Sequence, residues 1–366
     1  MALGVSGSNG GIDERGAAMV SDQPTHMWAD APEHPAEVSY FVNNACNLNC
    51  RHCYVGYVEQ HGSLSIDEWK EAFNDLIEAG AHTFGNVGKE PLLSWPTTIG
   101  LLDYFKEQRN TRPHLRYGLV TNLTLLDDNR AAEIAAALPN YIDVSLDGDK
   151  ATHDAIRGHG TYSTTMDNLT RLVEVGLGDR IFISFTLHRE NVGTVSALVE
   201  ALHNKGIRRL LISPYISLDP KDPLLLPEAM ATRWIKDCLD GSVVDFRRCN
   251  GMRLYFKNDF STSRHVMNSW VQSGIIRLDD LRIDSYGVMF CKYEVGDSTL
   301  YFNYQVRNDF PSRAIRISHD GHIGSCLDMF YEDYRSRAIG NIRKQPILSI
   351  LSKSCNTECC AVAAVG

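Results

Sequence analysis

The chain has 366 residues, of which 43% are hydrophobic and 22% are charged, and its net charge is −9. These values fit a soluble globular enzyme with a large core and room for two domains. The acidic balance argues against a nucleic-acid partner, and the sequence has neither a signal peptide nor an apolar run of the ~20 residues that a membrane helix needs. The 10 cysteines therefore suggest metal ligation in a reducing cytosol rather than disulfide bonds.

The first 36 residues are rich in Gly, Ser, Pro and Asp. Such a segment buries too little apolar surface to become ordered alone, so we expect residues 1–36 to form a flexible N-terminal arm. The arm is also short and polar for a separate peptide-binding domain.

Strand-like and helix-like patterns alternate after the arm. Strand-like runs cover residues 38–43, 83–87, 115–121, 140–146, 181–187 and 208–213. Helical patterns cover residues 95–109, 127–138, 163–176 and 192–205, and Ser65 and Glu68 form a capping box for an earlier helix. Six such units predict an α/β fold with a parallel sheet and outer helices. Since six strands cannot close an eight-stranded barrel, we predict a partial (β/α)6 barrel at residues 37–218.

Three cysteines follow the first strand with C-x3-C-x2-C spacing, namely Cys46, Cys50 and Cys53. Thiolates are soft ligands that suit iron–sulfur clusters, and three of them leave one iron of a four-iron cluster open to another ligand. A zinc site would usually take four ligands from two separated pairs, and three free thiols this close together would invite oxidation. The triad also follows the carboxyl end of its strand, where parallel sheets bind ligands. The pattern therefore favours a catalytic cluster at this rim.

The triad, the strand before it and Tyr54 resemble the radical S-adenosylmethionine (radical SAM) superfamily. The resemblance implies a [4Fe-4S] cluster on the triad, with S-adenosyl-L-methionine on the open iron. One-electron cleavage of the sulfonium would give a 5′-deoxyadenosyl radical that removes a hydrogen atom from the substrate. An external one-electron reductant such as flavodoxin or ferredoxin is implied as a partner.

Two loops after the second and third strands resemble cofactor-binding motifs of the same family. Gly88-Lys-Glu-Pro resembles the G-G-E-P motif, so Gly88 and Glu90 are implied to contact the amino group of S-adenosylmethionine, although Lys89 replaces the second glycine. Asn122 lies in a stretch that resembles T-N-G-T-L-L, in which Leu123 replaces the glycine. A simple Gly-Pro turn and an Asn turn are the respective alternatives.

The fourth and fifth strands carry the remaining implied cofactor contacts. Ser145 begins an S-L-D-G…H-D…R-G pattern that resembles family members with auxiliary clusters, and it would bond the ribose hydroxyls. Arg157 would face the carboxylate of S-adenosylmethionine. Asp147 and His153 would position the substrate, and His153 alone also fits an exposed turn. Ser184, with Thr186 and Asn191 after it, would line the cofactor side.

The second region begins with a two-proline linker at 219–226, beyond which strand and helix patterns no longer alternate. Near the end, Asp320-Gly321 predicts a β-hairpin, and Cys326 and a C-terminal cysteine group follow it. This arrangement resembles the SPASM and twitch extensions of radical SAM enzymes, which hold one or two auxiliary clusters. We therefore predict a small mixed α+β auxiliary-cluster domain at residues 219–366.

Seven cysteines lie outside the triad, fewer than two fully ligated four-iron clusters would need. By resemblance to twitch domains we expect one auxiliary [4Fe-4S] cluster, with ligands Cys291, Cys326, Cys355 and Cys359. Cys249 is the rival to Cys291, and each thiol taken alone also fits a small buried hydrophobe. If Cys249 is not a ligand, it is a candidate hydrogen donor to the substrate radical, because the chain there could return over the open mouth of the barrel.

Three classes of function are compatible with a chain of this kind. The favoured one is a cytoplasmic oxidoreductase or epimerase that takes hydrogen from a small molecule, such as a sugar or aminocyclitol of antibiotic biosynthesis. The alternative is a maturase of a ribosomally made peptide, a class that commonly adds a winged-helix domain for which the arm leaves no room. A non-catalytic electron-transfer protein would not need the motifs at Gly88, Ser145 and Arg157.

Overall fold

The computed structural model describes residues 37–53, 62–217, 219–256, 271–272, 274, 276–283, 289–304, 314–324 and 334–354. Several predictions lie outside these ranges, namely the arm at 1–36, the aromatic Tyr54, and the cysteines Cys326, Cys355 and Cys359. Within them, no helix is both long enough and apolar enough to cross a membrane.

Six parallel strands form the first part of the sheet, as the sequence predicts. They are β1 (Glu37–Tyr40), β2 (Thr83–Asn86), β3 (Arg116–Thr121), β4 (Tyr141–Ser145), β5 (Ile181–Leu187) and β6 (Arg209–Pro214). The helices between them are α1 (Ile66–Glu78), α2 (Trp95–Thr111), α3 (Asp128–Ala137), α4 (Lys150–Arg157), α5 (Thr161–Glu174) and α6 (Val195–Asn204). The partial parallel barrel is thereby confirmed. Among these helices, only α4, which has 8 residues, is not predicted from the sequence.

The two faces of the sheet differ in a way that β5 shows clearly. Ile181, Ile183 and Phe185 point outward and are buried under the helices, whereas Ser184 and Thr186 alternate with them on the concave face and stay partly accessible. A strand covered on one face and open on the other leaves small polar side chains where a ligand can reach them.

Helix α1 shows how the outer layer is held. Its capping box forms as predicted, with the Ser65 hydroxyl accepting from the Glu68 amide and the Glu68 carboxylate accepting from the Ser65 amide. Its buried face places Trp69 and Phe73 against Tyr40 of β1, with ring centroids 5.5 and 4.9 Å apart. Burial of aromatic rings of this size contributes about 1.5–3 kcal/mol for each residue.

The region after residue 218 continues the same sheet at both of its edges. Helix α7 (Glu228–Leu239) leads to β7 (Arg253–Phe256), which pairs in parallel with β6. The βα alternation therefore runs for one unit more than the sequence predicts. Beyond β7 lie β10 (Ser298–Tyr304), β9 (Met289–Val295) and β8 (Arg282–Ile283). β10 is parallel to β7, and β9 is antiparallel to both β10 and β8.

The other edge is built from the end of the chain. β11 (Ala314–Ile317) pairs in parallel with β1, and β12 (His322–Gly324) and β13 (Gly340–Asn341) extend it in antiparallel fashion. The predicted hairpin at Asp320-Gly321 joins β11 to β12. Two short helices complete this part, α8 (Tyr334–Arg337) and α9 (Ile347–Ser354). The described strands thus form an open sheet ending in β13 at one side and β8 at the other.

An arginine from this last part holds the segment that follows the cysteine triad. The Arg343 guanidinium pairs with the Glu68 carboxylate at 2.6 and 3.0 Å, and it also donates to the Ser63 carbonyl at 2.9 Å. Bidentate pairing of this kind fixes both partners more tightly than a single contact. The start of α1 is therefore held by residues from the far end of the sequence.

Candidate functional site

The three cysteines of the triad lie just past the carboxyl end of β1, on the rim of the concave face. Among the described residues, none of the three forms a disulfide bond. Cys46 and Cys53 are exposed, and Cys50 is half-buried. The Arg51 amide donates to the Ile156 carbonyl at 3.0 Å, which ties the triad loop to α4. The loop is thus anchored while its sulfur atoms remain accessible.

Nitrogen donors from the chain surround two of the sulfur atoms. Cys46 Sγ accepts from the Leu48 amide at 3.4 Å and from Asn122 Nδ2 at 3.8 Å. Cys50 Sγ accepts from the Arg157 guanidinium at 3.9 Å. Burial raises the pKa of Cys50 to about 11, and Arg157 acts in the opposite direction. Hydrogen bonds to sulfur are one means by which proteins adjust iron–sulfur clusters.

This donor set fits a thiolate-bound four-iron cluster. Each thiolate of such a cluster binds a different iron, so the sulfur atoms need not converge on one point. Among the described residues, no three His, Cys, Asp or Glu side chains form a group that could hold a metal ion. Three thiols at the rim, two of them with N–H donors beside them, suit the cluster better than a mononuclear site.

Behind the triad lies a buried ion pair that joins β4 to α4. Asp147 is fully buried, and its Oδ2 accepts from Arg157 Nε at 2.5 Å while its Oδ1 accepts from the Thr186 amide at 2.8 Å. His52, between two triad cysteines, has its Nε2 3.5 Å from Asp147 Oδ2. Burial alone would raise the Asp147 pKa, but Arg157, His52 and the Thr186 amide lower it below its usual range. Arg157 thus connects a buried carboxylate to Cys50.

Three histidines line this part of the rim, and only one was a candidate from the sequence. Burial lowers the pKa of His52 and of His153 to about 4, so both rings are neutral at neutral pH. His153 Nδ1 accepts from the Asp147 amide at 3.1 Å, which holds the turn after β4. His153 is therefore buried rather than in an exposed turn. His188, at the end of β5, lies 6.2 Å from the His52 ring. In the sequence, His188 could have been identified only as a polar residue that follows a predicted strand.

Glu90 accepts three hydrogen bonds from within the chain, and its implied contact with S-adenosylmethionine stays a prediction. Its carboxylate is fully buried and accepts from the Thr121 hydroxyl at 2.7 Å, the Asn122 amide at 2.8 Å and the Leu92 amide at 3.0 Å. Burial raises its pKa, against the effect of these hydrogen bonds. Glu90 thus joins the loops after β2 and β3 and holds Asn122 at the triad.

The two positions where the sequence departs from the family glycines have an unusual backbone. Lys89 has φ +42° and Leu123 has φ +63°, both in the left-handed region that favours glycine. Both residues thus adopt a backbone conformation that glycine adopts without strain. Gly88 is required for another reason: a Cβ there would come within 2.0 Å of the Phe41 ring.

The remaining predicted contacts share one strip of the concave face. Ser145 and Ser184 are directly opposite each other in the pairing of β4 with β5, and both are partly accessible. Asn191 is fully buried, and its amide group closes the turn after β5 through the Thr186 carbonyl and the His188 amide. The structure brings Ser145, Ser184, Asn122 and Arg157 to the triad end of the sheet. Their contacts with S-adenosylmethionine stay predictions.

Cys249 lies away from this site. It is buried and comes just before β7, which runs parallel to β6, so it lies at the amino-terminal base of the sheet. The triad follows the carboxyl end of β1 and so lies at the opposite end of the parallel sheet. The expectation that the chain returns over the open mouth at Cys249 is therefore wrong, because one more parallel strand follows it.

This position allows a direct test of Cys249. We expect Cys249→Ala to retain all its iron, to cleave S-adenosylmethionine at the parental rate, and to leave deuterium incorporation from solvent unchanged. Iron analysis and mass spectrometry of the product check this. Loss of about four irons would make Cys249 a cluster ligand, and loss of deuterium alone would make it the hydrogen donor.

The described member of the predicted auxiliary ligand set is also in the core. Cys291 is fully buried on β9 opposite Phe302 of β10, and burial raises its thiol pKa to about 12. These surroundings are those of a small buried hydrophobe, the alternative that the sequence left open. Its role as a ligand beside Cys326, Cys355 and Cys359 stays a prediction.

Comparison with known proteins agrees with this geometry. A family model described as the radical SAM superfamily matches residues 40–202. The Fe-coproporphyrin III synthase of Methanosarcina barkeri is 28% identical over 190 residues, which cover 51% of this chain and 46% of that protein. The sporulation killing factor maturation protein SkfB of Bacillus subtilis is 26% identical over 197 residues, covering 50% and 44%. The matches thus span less than half the length of these relatives.

Among solved structures, Streptococcus suis SuiB bound to precursor peptide SuiA is similar in fold. The TM-score is 0.65 at 14% identity, and the match covers 87% of this chain and 65% of that one. The likeness therefore extends beyond the residues of the family model into the strands that follow them.

Proposed function

Residues 40–202 make this chain a member of the radical SAM superfamily, and on that basis we propose that it modifies a ribosomally made peptide by abstracting a hydrogen atom. The observation that carries the chemistry is the triad at the rim, with Asn122 and Arg157 donating to its sulfur atoms. When bound there, a [4Fe-4S] cluster with S-adenosylmethionine supplies a 5′-deoxyadenosyl radical after one electron arrives from an external reductant.

The chain's own residues provide the setting for that chemistry. Cys46, Cys50 and Cys53 would hold the cluster, and the buried Asp147 fixes the Arg157 guanidinium against Cys50. Ser145 and Ser184 offer hydroxyl groups on the concave face below the rim, where the ribose would bind.

A peptide is the first candidate substrate for two reasons. The relative SkfB is named as a maturation protein, and SuiB was solved with a precursor peptide. In addition, the described strands form an open sheet rather than a closed barrel, and an open concave face suits a long, flexible substrate.

A small molecule is the second candidate, with dehydrogenation or epimerisation at a sugar-like carbon as the outcome. It is supported by the relative named Fe-coproporphyrin III synthase, whose name denotes a small-molecule product. The polar strip of Ser145 and Ser184 would also suit a hydroxylated ligand.

One experiment separates the two candidates. The anaerobically reconstituted protein is incubated with S-adenosylmethionine, a reductant, and either candidate precursor peptides or candidate sugars and porphyrins. We expect 5′-deoxyadenosine to rise above the substrate-free rate with a peptide, together with a mass change in that peptide. A rise only with a small molecule would replace the first candidate by the second, and no 5′-deoxyadenosine under any condition would overturn both.

Iron content tests the auxiliary cluster, which we also propose. If the C-terminal cysteines hold one, the reconstituted protein should carry about eight irons, and replacing all three triad cysteines by alanine should leave about four. Iron and sulfide analysis checks this. About four irons in the parent and none in the triad variant would show that the other cysteines bind no cluster.

A further inference from the structure

A row of side chains crosses the concave face from the two serines to a pair of tyrosines. Residues that are directly opposite each other in the strand pairing share a face, and the pairing aligns Ser145, Ser184, Leu211, Tyr255 and Tyr301 across neighbouring strands. All of them are partly accessible. The rings of Tyr255 and Tyr301 are stacked, with centroids 4.7 Å apart and planes at 6°. This serine–tyrosine row therefore joins hydroxyl groups to an aromatic wall.

Two arginines lie side by side on the same face, nearer the amino-terminal ends of β6 and β7. Arg209 of β6 is directly opposite Arg253 of β7, and both are partly accessible. The Arg209 guanidinium lies over the Phe182 ring of β5, 5.1 Å from its centroid, and that ring lies 5.8 Å from the Tyr255 ring. Since a strand rises about 3.3 Å per residue, the two arginines lie about 7 Å along the strands from the serine–tyrosine row.

These two positive charges have no acidic partner in the part of the chain that the structure describes. Neither arginine forms an ion pair with a described carboxylate. Asp143 of β4 and Glu294 of β9 are each two strands away from the nearer arginine, and Glu294 already pairs with Lys292 at 2.7 Å. Like charges on neighbouring strands repel each other, and a bound anion would remove that cost.

The surroundings of Arg209 also oppose its charge. Burial, the largest effect, lowers the pKa of Arg209. Tyr255 and the exposed Asp179 raise this pKa, whereas Arg253 and Arg180 lower it. The guanidinium is therefore held where burial and two other cations act against it, and an anion bound there would offset both effects.

We propose that Arg209 and Arg253 together bind the carboxylate of an acidic side chain of the substrate peptide, while the rings of Tyr255 and Tyr301 pack against the neighbouring part of that peptide. A guanidinium presents its N–H donors in a planar fork that matches a carboxylate. An extended peptide rises about 3.3 Å per residue, so the acidic residue lies about two positions from the residue that faces the serine–tyrosine row. The proposal rests on the peptide substrate of the proposed function and adds the charge of that peptide.

The test measures the binding of two short peptides to the anaerobically reconstituted protein by ligand-observed nuclear magnetic resonance, without reductant. The probes are acetyl-Gly-Phe-Gly-Glu-Gly-amide, in which glutamate carries the only charge, and the same peptide with glutamine in place of glutamate. We expect the parent to bind the glutamate peptide about tenfold more tightly than the glutamine peptide, because only the carboxylate forms charge-assisted hydrogen bonds with both guanidinium groups.

The double variant Arg209→Gln, Arg253→Gln should bind the two peptides equally. The matched control is the double variant Arg233→Gln, Arg248→Gln, which removes the same charge from side chains that are 86% and 83% exposed, and it should keep the parental difference. Thermal unfolding, followed by circular dichroism, checks that each variant is folded.

Equal affinity of the parent for the two peptides would overturn the proposal, and so would the absence of binding of the glutamate peptide. These comparisons need no variant, so the proposal can fail even if the Arg209, Arg253 variant does not fold. A difference that persists in the folded variant would also overturn it. Because binding is measured without turnover, binding as expected but no 5′-deoxyadenosine with any peptide would refute the proposed function alone.

Discussion

Replacing Cys50 by alanine is expected to abolish cleavage of S-adenosylmethionine. Cys50 is the middle thiol of the triad and the one that accepts from Arg157, so its loss removes a proposed cluster ligand together with the partner of that guanidinium. Because the side chain is only half-buried, the fold should survive the change. Formation of 5′-deoxyadenosine, measured by liquid chromatography under reducing conditions, should fall to the background of cluster-free protein.

Cys238→Ala is the matched control for this variant. Cys238 is a fully buried thiol on α7, part of the apolar core and unrelated to the rim. We expect it to retain parental iron content and activity. A Cys50→Ala protein that still forms 5′-deoxyadenosine would contradict the proposal that the triad holds the cluster.

Asp147→Asn is expected to cost about 3–5 kcal/mol of unfolding free energy, since breaking a buried ion pair leaves the other charge without a partner. Asp147 is fully buried, and the side chain of Arg157 is 11% exposed. The asparagine keeps the size of the side chain and removes only the charge. Urea unfolding under anaerobic conditions, followed by circular dichroism, measures the loss.

A second arginine–carboxylate pair nearby provides the control. Arg51 and Glu190 also join the triad loop to the end of β5, at 2.9 Å, but their side chains are 48% and 43% exposed. Water screens such a pair, so Glu190→Gln should cost only about 0.2–1 kcal/mol. Equal losses in the two variants would mean that burial does not determine the strength of the Asp147 pair.

The strands and the triad could be predicted from sequence because their signals are local. An alternating run such as Ile181–Leu187 determines its own secondary structure, and the spacing of Cys46, Cys50 and Cys53 is chemical information in itself. The parallel order of the strands then places the triad at the rim without further knowledge.

What could not be predicted depends on contacts between distant parts of the chain. Nothing near Glu90 indicates that its carboxylate faces inward to the Thr121 hydroxyl and the Asn122 amide, since those donors come from the next strand and loop. The position of Cys249 relative to the barrel was predicted wrongly. The four residues of β7, Arg253–Phe256, are too short a run to indicate another parallel strand. Whether such a side chain is buried depends on how the whole sheet packs.

The ion pair between Arg343 and Glu68 joins residues 275 positions apart, and the pairing of β11 with β1 spans a similar separation in sequence. During synthesis, one edge of β1, the strand that leads to the triad, therefore stays unpaired until nearly the whole chain has been made. Contacts of such long range slow folding and leave an unpaired edge exposed to neighbouring chains in the meantime. Expression at lower temperature, or with holding chaperones, should increase the soluble yield of this protein more than that of an enzyme whose first strand pairs early on both sides.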